Sequence, residues 1–161
     1  MMRVLLAVFA FAALVALGAA TQVKPCSGVE RTIDNLNERI QVGGCNKPPC
    51  RLRKDTSVGI TMKFQPAENV KSLQTAVSAN ILGVPFPFIG VDGENACDDV
   101  YLKDGTTKAG CDLKAGEEYV YKNSIEVLKI YPRVKTVVSW GLKDQKGNYV
   151  ICFEVPARIT N

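Results

Sequence analysis

Catalysis by proton transfer or nucleophilic attack needs particular side chains within reach of one another, and this 161-residue sequence offers few. It contains no histidine, which removes the commonest general base and metal ligand and every Ser-His or Cys-His nucleophile pair. The adjacent carboxylates are Asp98-Asp99 and Glu117-Glu118. Neighbours on an extended chain point to opposite sides, so neither pair makes an acid/base dyad. Gly105 to Gly110 has the glycine spacing of a phosphate loop, but Cys111-Asp112 stands where Lys-Ser/Thr is required. Arg51-Leu52-Arg53-Lys54 reads as a solvated strand end, with contact to anionic lipid head groups as the minority reading. Basic residues interleaved with aromatics, as single-stranded nucleic acid demands, are absent. The net charge of +4 is mild and argues for no polyanionic partner. The expectation is a protein that is not an enzyme, with no cofactor, no metal and no nucleic acid.

The remaining reactive residues are six cysteines: Cys26, Cys45, Cys50, Cys97, Cys111 and Cys152. Their meaning depends on compartment. Residues 1–20 begin Met1-Met2-Arg3, run through an apolar stretch from Val4 to Leu17 and end in Gly18-Ala19-Ala20. A basic start, a short apolar centre and small residues at a cleavage point describe a secretory signal peptide, and the run is shorter than the roughly 20 apolar residues of a membrane span. The expectation is a cleaved segment 1–20 and a single secreted domain over 21–161. In an oxidising compartment an even cysteine count reads as a disulfide framework. Six cysteines allow 15 pairings. Cys45 and Cys50 are close enough to staple one loop, and Cys97 and Cys111 bracket a second. That arrangement leaves Cys26 and Cys152 to tie the ends, but sequence alone does not choose it.

The elements that must position any site are strands. Ser57 to Phe64 alternates, with Val58, Ile60, Met62 and Phe64 on one face. Arg133 to Lys143 places Val134, Val138, Trp140 and Leu142 together, and Tyr149, Ile151, Phe153 and Val155 form a third set. Period-2 alternation marks antiparallel strands with one face on a core and one in water. Weaker runs lie at Arg39–Val42, Leu73–Leu82, Glu118–Lys122 and Ile125–Ile130, and Asp144 to Asn148 has the composition of a hairpin loop. About seven short strands without a long helical period predict an all-β sandwich of two antiparallel sheets.

Two loops are more apolar than loops should be. Leu82 to Gly90 carries Val84, Phe86, Phe88 and Ile89 among prolines that bar it from the centre of a sheet. Ile130-Tyr131-Pro132 places a large aromatic at a turn. Such residues either rim a cavity for an apolar ligand or plug the end of the sandwich.

An ordered series of segments resembles the secreted lipid-recognition (ML) domain family, in the subgroup of Niemann-Pick type C sterol carriers and their arthropod relatives. The series comprises Cys26, Cys45 to Leu52, the alternating strand Val58 to Phe64, Val84-Pro85-Phe86-Pro87, Ala96-Cys97 and Tyr119-Val120-Tyr121. It continues with Val127 to Pro132, Val137 to Asp144 and Cys152 to Ile159. The resemblance implies an immunoglobulin-like β-sandwich whose sheets part to hold a lipid, with disulfides Cys26–Cys152, Cys45–Cys50 and Cys97–Cys111. It places ligand contacts at Phe86, Val127, Tyr131 and Pro132, with Trp140 and Phe153 deeper and Phe64 and Val84 as further lining. Tyr131 is the expected gate, its ring packing apolar surface while its hydroxyl stays wet. It implies a monomeric carrier of a sterol, fatty acid or other small lipid, in transient contact with a membrane or a membrane sterol acceptor. The alternatives are an extracellular carrier of fatty acids or semiochemicals and an innate-immune module that recognises microbial lipid. Two departures stand out. The loop between Cys97 and Cys111 is longer than the family's sterol carriers lead one to expect. No Asn-x-Ser/Thr sequon is present, so plain secretion is expected ahead of delivery to an endosomal or lysosomal lumen.

Overall fold

The computed structural model describes residues 20–29 and 33–161; apart from Ala20, the expected signal peptide over 1–20 lies outside them. Alternating β-branched and aromatic residues form ten strands in the described residues. They are β1 (Lys24–Pro25), β2 (Ile40–Val42), β3 (Cys50–Arg53), β4 (Thr56–Phe64), β5 (Leu73–Ile81), β6 (Val84–Pro87), β7 (Val100–Leu102), β8 (Tyr119–Val127), β9 (Lys135–Asp144) and β10 (Tyr149–Thr160). A single helical turn, α1 (Leu36–Arg39), leads into β2.

The strands make two sheets, one of six strands ordered β1-β10-β9-β5-β6 with β3 also on β10, and one of four ordered β2-β4-β8-β7. The expected two-sheet sandwich with three disulfides is what the chain forms. It has more strands than the seven anticipated, because β1, β3, β6 and β7 are two to four residues long, too short to show alternation. One pair departs from the antiparallel rule: β3 runs parallel to β10, Cys50 opposite Ala157 and Arg53 opposite Thr160. The two weak runs expected at Glu118–Lys122 and Ile125–Ile130 are one strand, β8, which ends at Val127.

The inward rows of both sheets fill the interior. Trp140, Tyr121, Phe64, Phe153, Ile40 and Met62 are all but fully buried, and full burial of side chains of this kind contributes about 1.5–3 kcal/mol each. The disulfides are Cys26–Cys152, Cys45–Cys50 and Cys97–Cys111, with Cα atoms 5.4, 5.2 and 4.9 Å apart, the pairing the resemblance implies. The first ties β1 to β10 within the larger sheet. The second joins the chain leaving β2 in the smaller sheet to the start of β3 in the larger.

Candidate functional site

At one end of the sandwich the β5–β6 hairpin and the crossover from β8 to β9 line a cleft of about 320 Å³. The hairpin turns through two residues, Leu82 (φ 53°) and Gly83 (φ 87°), between the paired Ile81 and Val84. Positive φ at both central positions is the type I′ geometry whose twist suits a hairpin. Glycine accepts it freely and leucine does not. Asn80 Oδ1 accepts the Gly83 N–H at 2.8 Å. The following β6 lies at the sheet edge, where Pro85 and Pro87 are tolerated because the donors they lack would face solvent.

The chain then returns inward at Phe88, which is 3% exposed. Its N–H donates to Val77 O at 3.0 Å, and its carbonyl accepts from Val91 and Asp92 N–H at 3.2 and 3.0 Å. Asp92 Oδ1 in turn accepts the Val77 N–H at 2.6 Å. On this pinned residue rests Tyr131 from the crossover, its ring edge-on to Phe88 with centroids 5.5 Å apart. Tyr131 Oη accepts the Ile89 N–H at 3.1 Å. One aromatic side chain thus latches the crossover to the hairpin's return.

The cleft is lined by Ala79 and Ile81 of β5, Phe86 and Pro87 of β6, Phe88, Ile89, Ile130, Tyr131, Pro132, and Ile159 of β10. Tyr131 is the one titratable side chain among them. Around the mouth Leu82, Ile130 and Ile89 are 99, 75 and 61% exposed, an apolar rim of the kind that marks interaction sites.

The inward rows carry the cleft into the molecule. Ala79 of the cleft pairs with Val138, and Ile159 lies one inward step beyond Ala157. Val138 and Ala157 line a seam between the sheets with Trp140, Phe153, Val155, Leu52, Val58 and Ile60. The seam encloses about 10 Å³, at the bottom of what a water molecule needs. No charged side chain lines cleft or seam. Just outside, Arg133, Lys135 and Arg158 line a separate surface groove that shares Ile159 with the cleft.

Of the expected contact residues, Phe86, Tyr131 and Pro132 meet at the cleft, and Trp140 and Phe153 meet in the seam. The other three line neither. Val127 is buried where β8 ends, Phe64 packs against Tyr119 with centroids 6.0 Å apart, and Val84 is half-exposed on β6. Ala79, Ile81 and Ile159 line the cleft without having been singled out. The signal for Ile159 was available, since the alternation Ile151, Phe153, Val155 continues unbroken through Ala157 to Ile159.

Beside Trp140, across the seam, lies a polar group of residues. Asn123 falls in the inward register of β8 and donates through Nδ2 to Tyr121 Oη at 2.8 Å and to Asp99 Oδ2 at 2.9 Å. Burial pushes the Tyr121 hydroxyl well above the ordinary tyrosine range and raises the Asp99 carboxyl.

The cleft, apolar but for the Tyr131 hydroxyl, adjoins the interior of a two-sheet sandwich, and known proteins resemble the chain over nearly its whole length. NPC intracellular cholesterol transporter 2 homolog a of Drosophila melanogaster is 34% identical over 155 residues, 95% of this chain and 97% of its own. NPC intracellular cholesterol transporter 2 of the dog, Canis lupus familiaris, is 32% identical over 162 residues, 98% of this chain and 99% of its own. The crystal structure of a Niemann-Pick type C2 protein from the Japanese carpenter ant superposes with a TM-score of 0.61 at 26% identity. It covers 75% of this chain and 89% of its own. The family model described as the ML domain matches residues 20–159, nearly the whole of the described sandwich, and the chain belongs to the ML domain family.

Proposed function

We propose that the protein is a non-enzymatic lipid carrier, secreted after removal of residues 1–20. It holds one sterol or similarly sized hydrophobic ligand in the cleft and the seam behind it. The observation that carries this reading is the lining of the cleft, apolar but for one tyrosine hydroxyl and set on loops held by Pro85, Pro87 and Pro132. Each 100 Å² of apolar ligand surface taken from water favours binding by about 2.5 kcal/mol. A few hundred Å² therefore offsets an association cost of at least about 4 kcal/mol without any charged anchor. The cholesterol transporters among its relatives support the same assignment. The cleft, at about 320 Å³, is at the small end of the usual 300–1,000 Å³ for ligand sites. A sterol-sized guest therefore parts the seam.

A fatty-acid ligand is the second reading. It is favoured by the Arg133, Lys135 and Arg158 groove, which adjoins the mouth at Ile159 and places cations where a carboxylate head would emerge. Native mass spectrometry of protein purified from its natural source is the test. One lipid per chain, identified after release as sterol or fatty acid, is expected. A bare chain that also takes up neither added sterol nor added fatty acid would sink the carrier reading.

A further inference from the structure

The net charge of +4 is mild, but the larger sheet gathers cations in one place. Lys135 of β9 lies opposite Arg158 of β10, and on its other side Arg158 lies opposite Arg51 of β3. All three are exposed, while Thr136, Ile159 and Leu52 beside them are buried. Strand alternation therefore puts the three charges together on the outer face of the sheet. Neighbouring strands are about 4.8 Å apart, so the row spans about 10 Å. Arg53, also exposed, continues it along β3 two residues beyond Arg51.

Like charges directly opposite one another destabilise a sheet, and Arg158 faces a cation on both sides. Carboxylates relieve such crowding elsewhere in the molecule: Lys71 and Lys114 pair with Asp112, Lys146 with Glu68 and Arg39 with Glu118. Among the described residues Arg51, Arg53, Lys135 and Arg158 are in no ion pair. Their natural partner is an anion from outside the chain, and the guanidinium fork fits the oxygens of sulfate or phosphate.

The shape of the surface decides what bears those anions. The row borders a groove of about 290 Å³ between the β8–β9 crossover and the end of β10, where Arg133 and Thr160 join Lys135 and Arg158. A concave cationic track admits a narrow chain and not the flat face of a bilayer. No aromatic side chain lines the groove or stands in register with the row, so the stacking platform used for single-stranded nucleic acid is missing.

We infer that the row of Lys135, Arg158 and Arg51, extended by Arg53, binds a linear sulfated polysaccharide. This partner lies on the outer face of the sheet, apart from any lipid in the cleft, and holds the chain on an extracellular matrix. Secretion is the only part of the carrier reading it uses, and lipid carriage can fail without affecting it.

The test is calorimetric titration of the full chain with a heparin decasaccharide at about 50 and 200 mM NaCl. Four cations on a linear polyanion, at about 0.9 in log K per contact per decade of salt, give a weakening of about 150-fold across that range. Arg51→Ser/Lys135→Ser/Arg158→Ser leaves one of the four, binds far more weakly and loses only about fourfold over the same range. Arg51→Ser/Arg53→Ser changes only residues outside the groove and loses about twelvefold. Lys71→Ser/Lys114→Ser/Lys146→Ser removes the same charge from acid-paired lysines and binds as the wild type does. Equal losses in the two triple variants, wild-type binding by Arg51→Ser/Arg53→Ser, or equal binding of desulfated heparin overturns the inference. Vesicles of phosphatidylserine and phosphatidylcholine form the second arm, and row-dependent binding to them in place of heparin assigns the surface to membranes and overturns the polysaccharide. The wild-type comparison of heparin with desulfated heparin needs no variant, so it decides the matter even if a substituted chain does not fold.

Discussion

Breaking the Cys26–Cys152 bond by paired alanine substitution should cost far more stability than breaking either of the others. The bond spans 126 residues of sequence, against 14 for Cys97–Cys111 and 5 for Cys45–Cys50. A cross-link removes loop-closure entropy from the unfolded chain, and the chain-entropy relation gives about 5, 3 and 2 kcal/mol for the three at 25 °C. Burial does not blur the main contrast, because Cys26 and Cys152 (8 and 5% exposed) resemble Cys45 and Cys50 (4 and 2%). Truncation costs from lost packing are therefore similar in the two pairs. A domain stable by about 5–15 kcal/mol is left marginal by the first change and folded after the last. The assay is guanidinium unfolding of the wild type and three double variants, followed by the fluorescence of Trp140. With a slope of about 2–6 kcal/mol per molar, the Cys26/Cys152 variant should lose about 1–2 M in midpoint and the Cys45/Cys50 variant less than half of that. Equal losses, or the largest loss at Cys45/Cys50, would refute the loop-entropy argument. Stability would then be set by the short staple that joins the two sheets.

Three further outcomes are expected. Phe86→Ala and Tyr131→Ala each remove an aromatic wall of the cleft, and roughly 50 Å² of lost contact at 25 cal/mol per Å² corresponds to about a tenfold weaker affinity. Sterol and fatty-acid displacement should show that loss with the unfolding midpoint of Phe86→Ala nearly unchanged; wild-type binding by both variants would remove the site. Leu82→Asn should raise stability by about 0.5–1 kcal/mol, since asparagine tolerates the left-handed backbone that leucine holds under strain; thermal unfolding reads the shift. Asp104 accepts from Thr107 Oγ1–H, Thr107 N–H and Thr106 N–H at 2.6, 2.9 and 2.7 Å, which hold its carboxyl well below the ordinary 3.8. A depressed folded pKa stabilises above the unfolded value and is lost as pH falls below it. Asp104→Asn should accordingly flatten the acid limb of stability between about pH 5 and pH 2, and an unchanged slope in a pH series of unfolding curves would contradict this.

The strands long enough to alternate could be read from the sequence almost residue by residue. β4 and β10 begin within a residue of the expected positions, and β10 runs on to Thr160. Strands held by position and not by pattern could not. β3 carries only Cys50 and Leu52 inward, and it is a strand because β10 extends far enough to pair with it. β8 was split in two because Asn123 puts an amide in an inward register; its bonds to Tyr121 and Asp99 let the strand continue through it. The cleft was half legible. Prolines and exposed apolar residues marked each loop separately, but that Tyr131 reaches Ile89 is a contact across 42 positions that no local pattern encodes. Val127 and Phe64 came with the resemblance, and Val84 with both the resemblance and the apolar loop; they lie in the core or on the β6 surface and not on the cleft.

Under the proposed carrier function, where the two sheets are fastened decides how a guest would part the seam. Cys97–Cys111 lies where the chain passes from its bridge with Gln74 of β5 to β7, at the end of β5 away from the cleft, and Cys26–Cys152 lies within the larger sheet and does not resist separation of the sheets. Cys45–Cys50 does, at the level of Ala157, which belongs to the seam and not to the cleft. At the cleft the fastening is weaker: the edge strand β6, paired only to β5, and the Tyr131 hydroxyl on the Ile89 N–H. A single hydrogen bond at an exposed site is worth about 0.5–1.5 kcal/mol, small beside the apolar surface a guest brings. The ladders β9–β10 and β4–β8 can therefore stay intact while the hairpin and the crossover move apart, and the guest's own surface replaces the contacts that Val138, Val155 and Val58 give up.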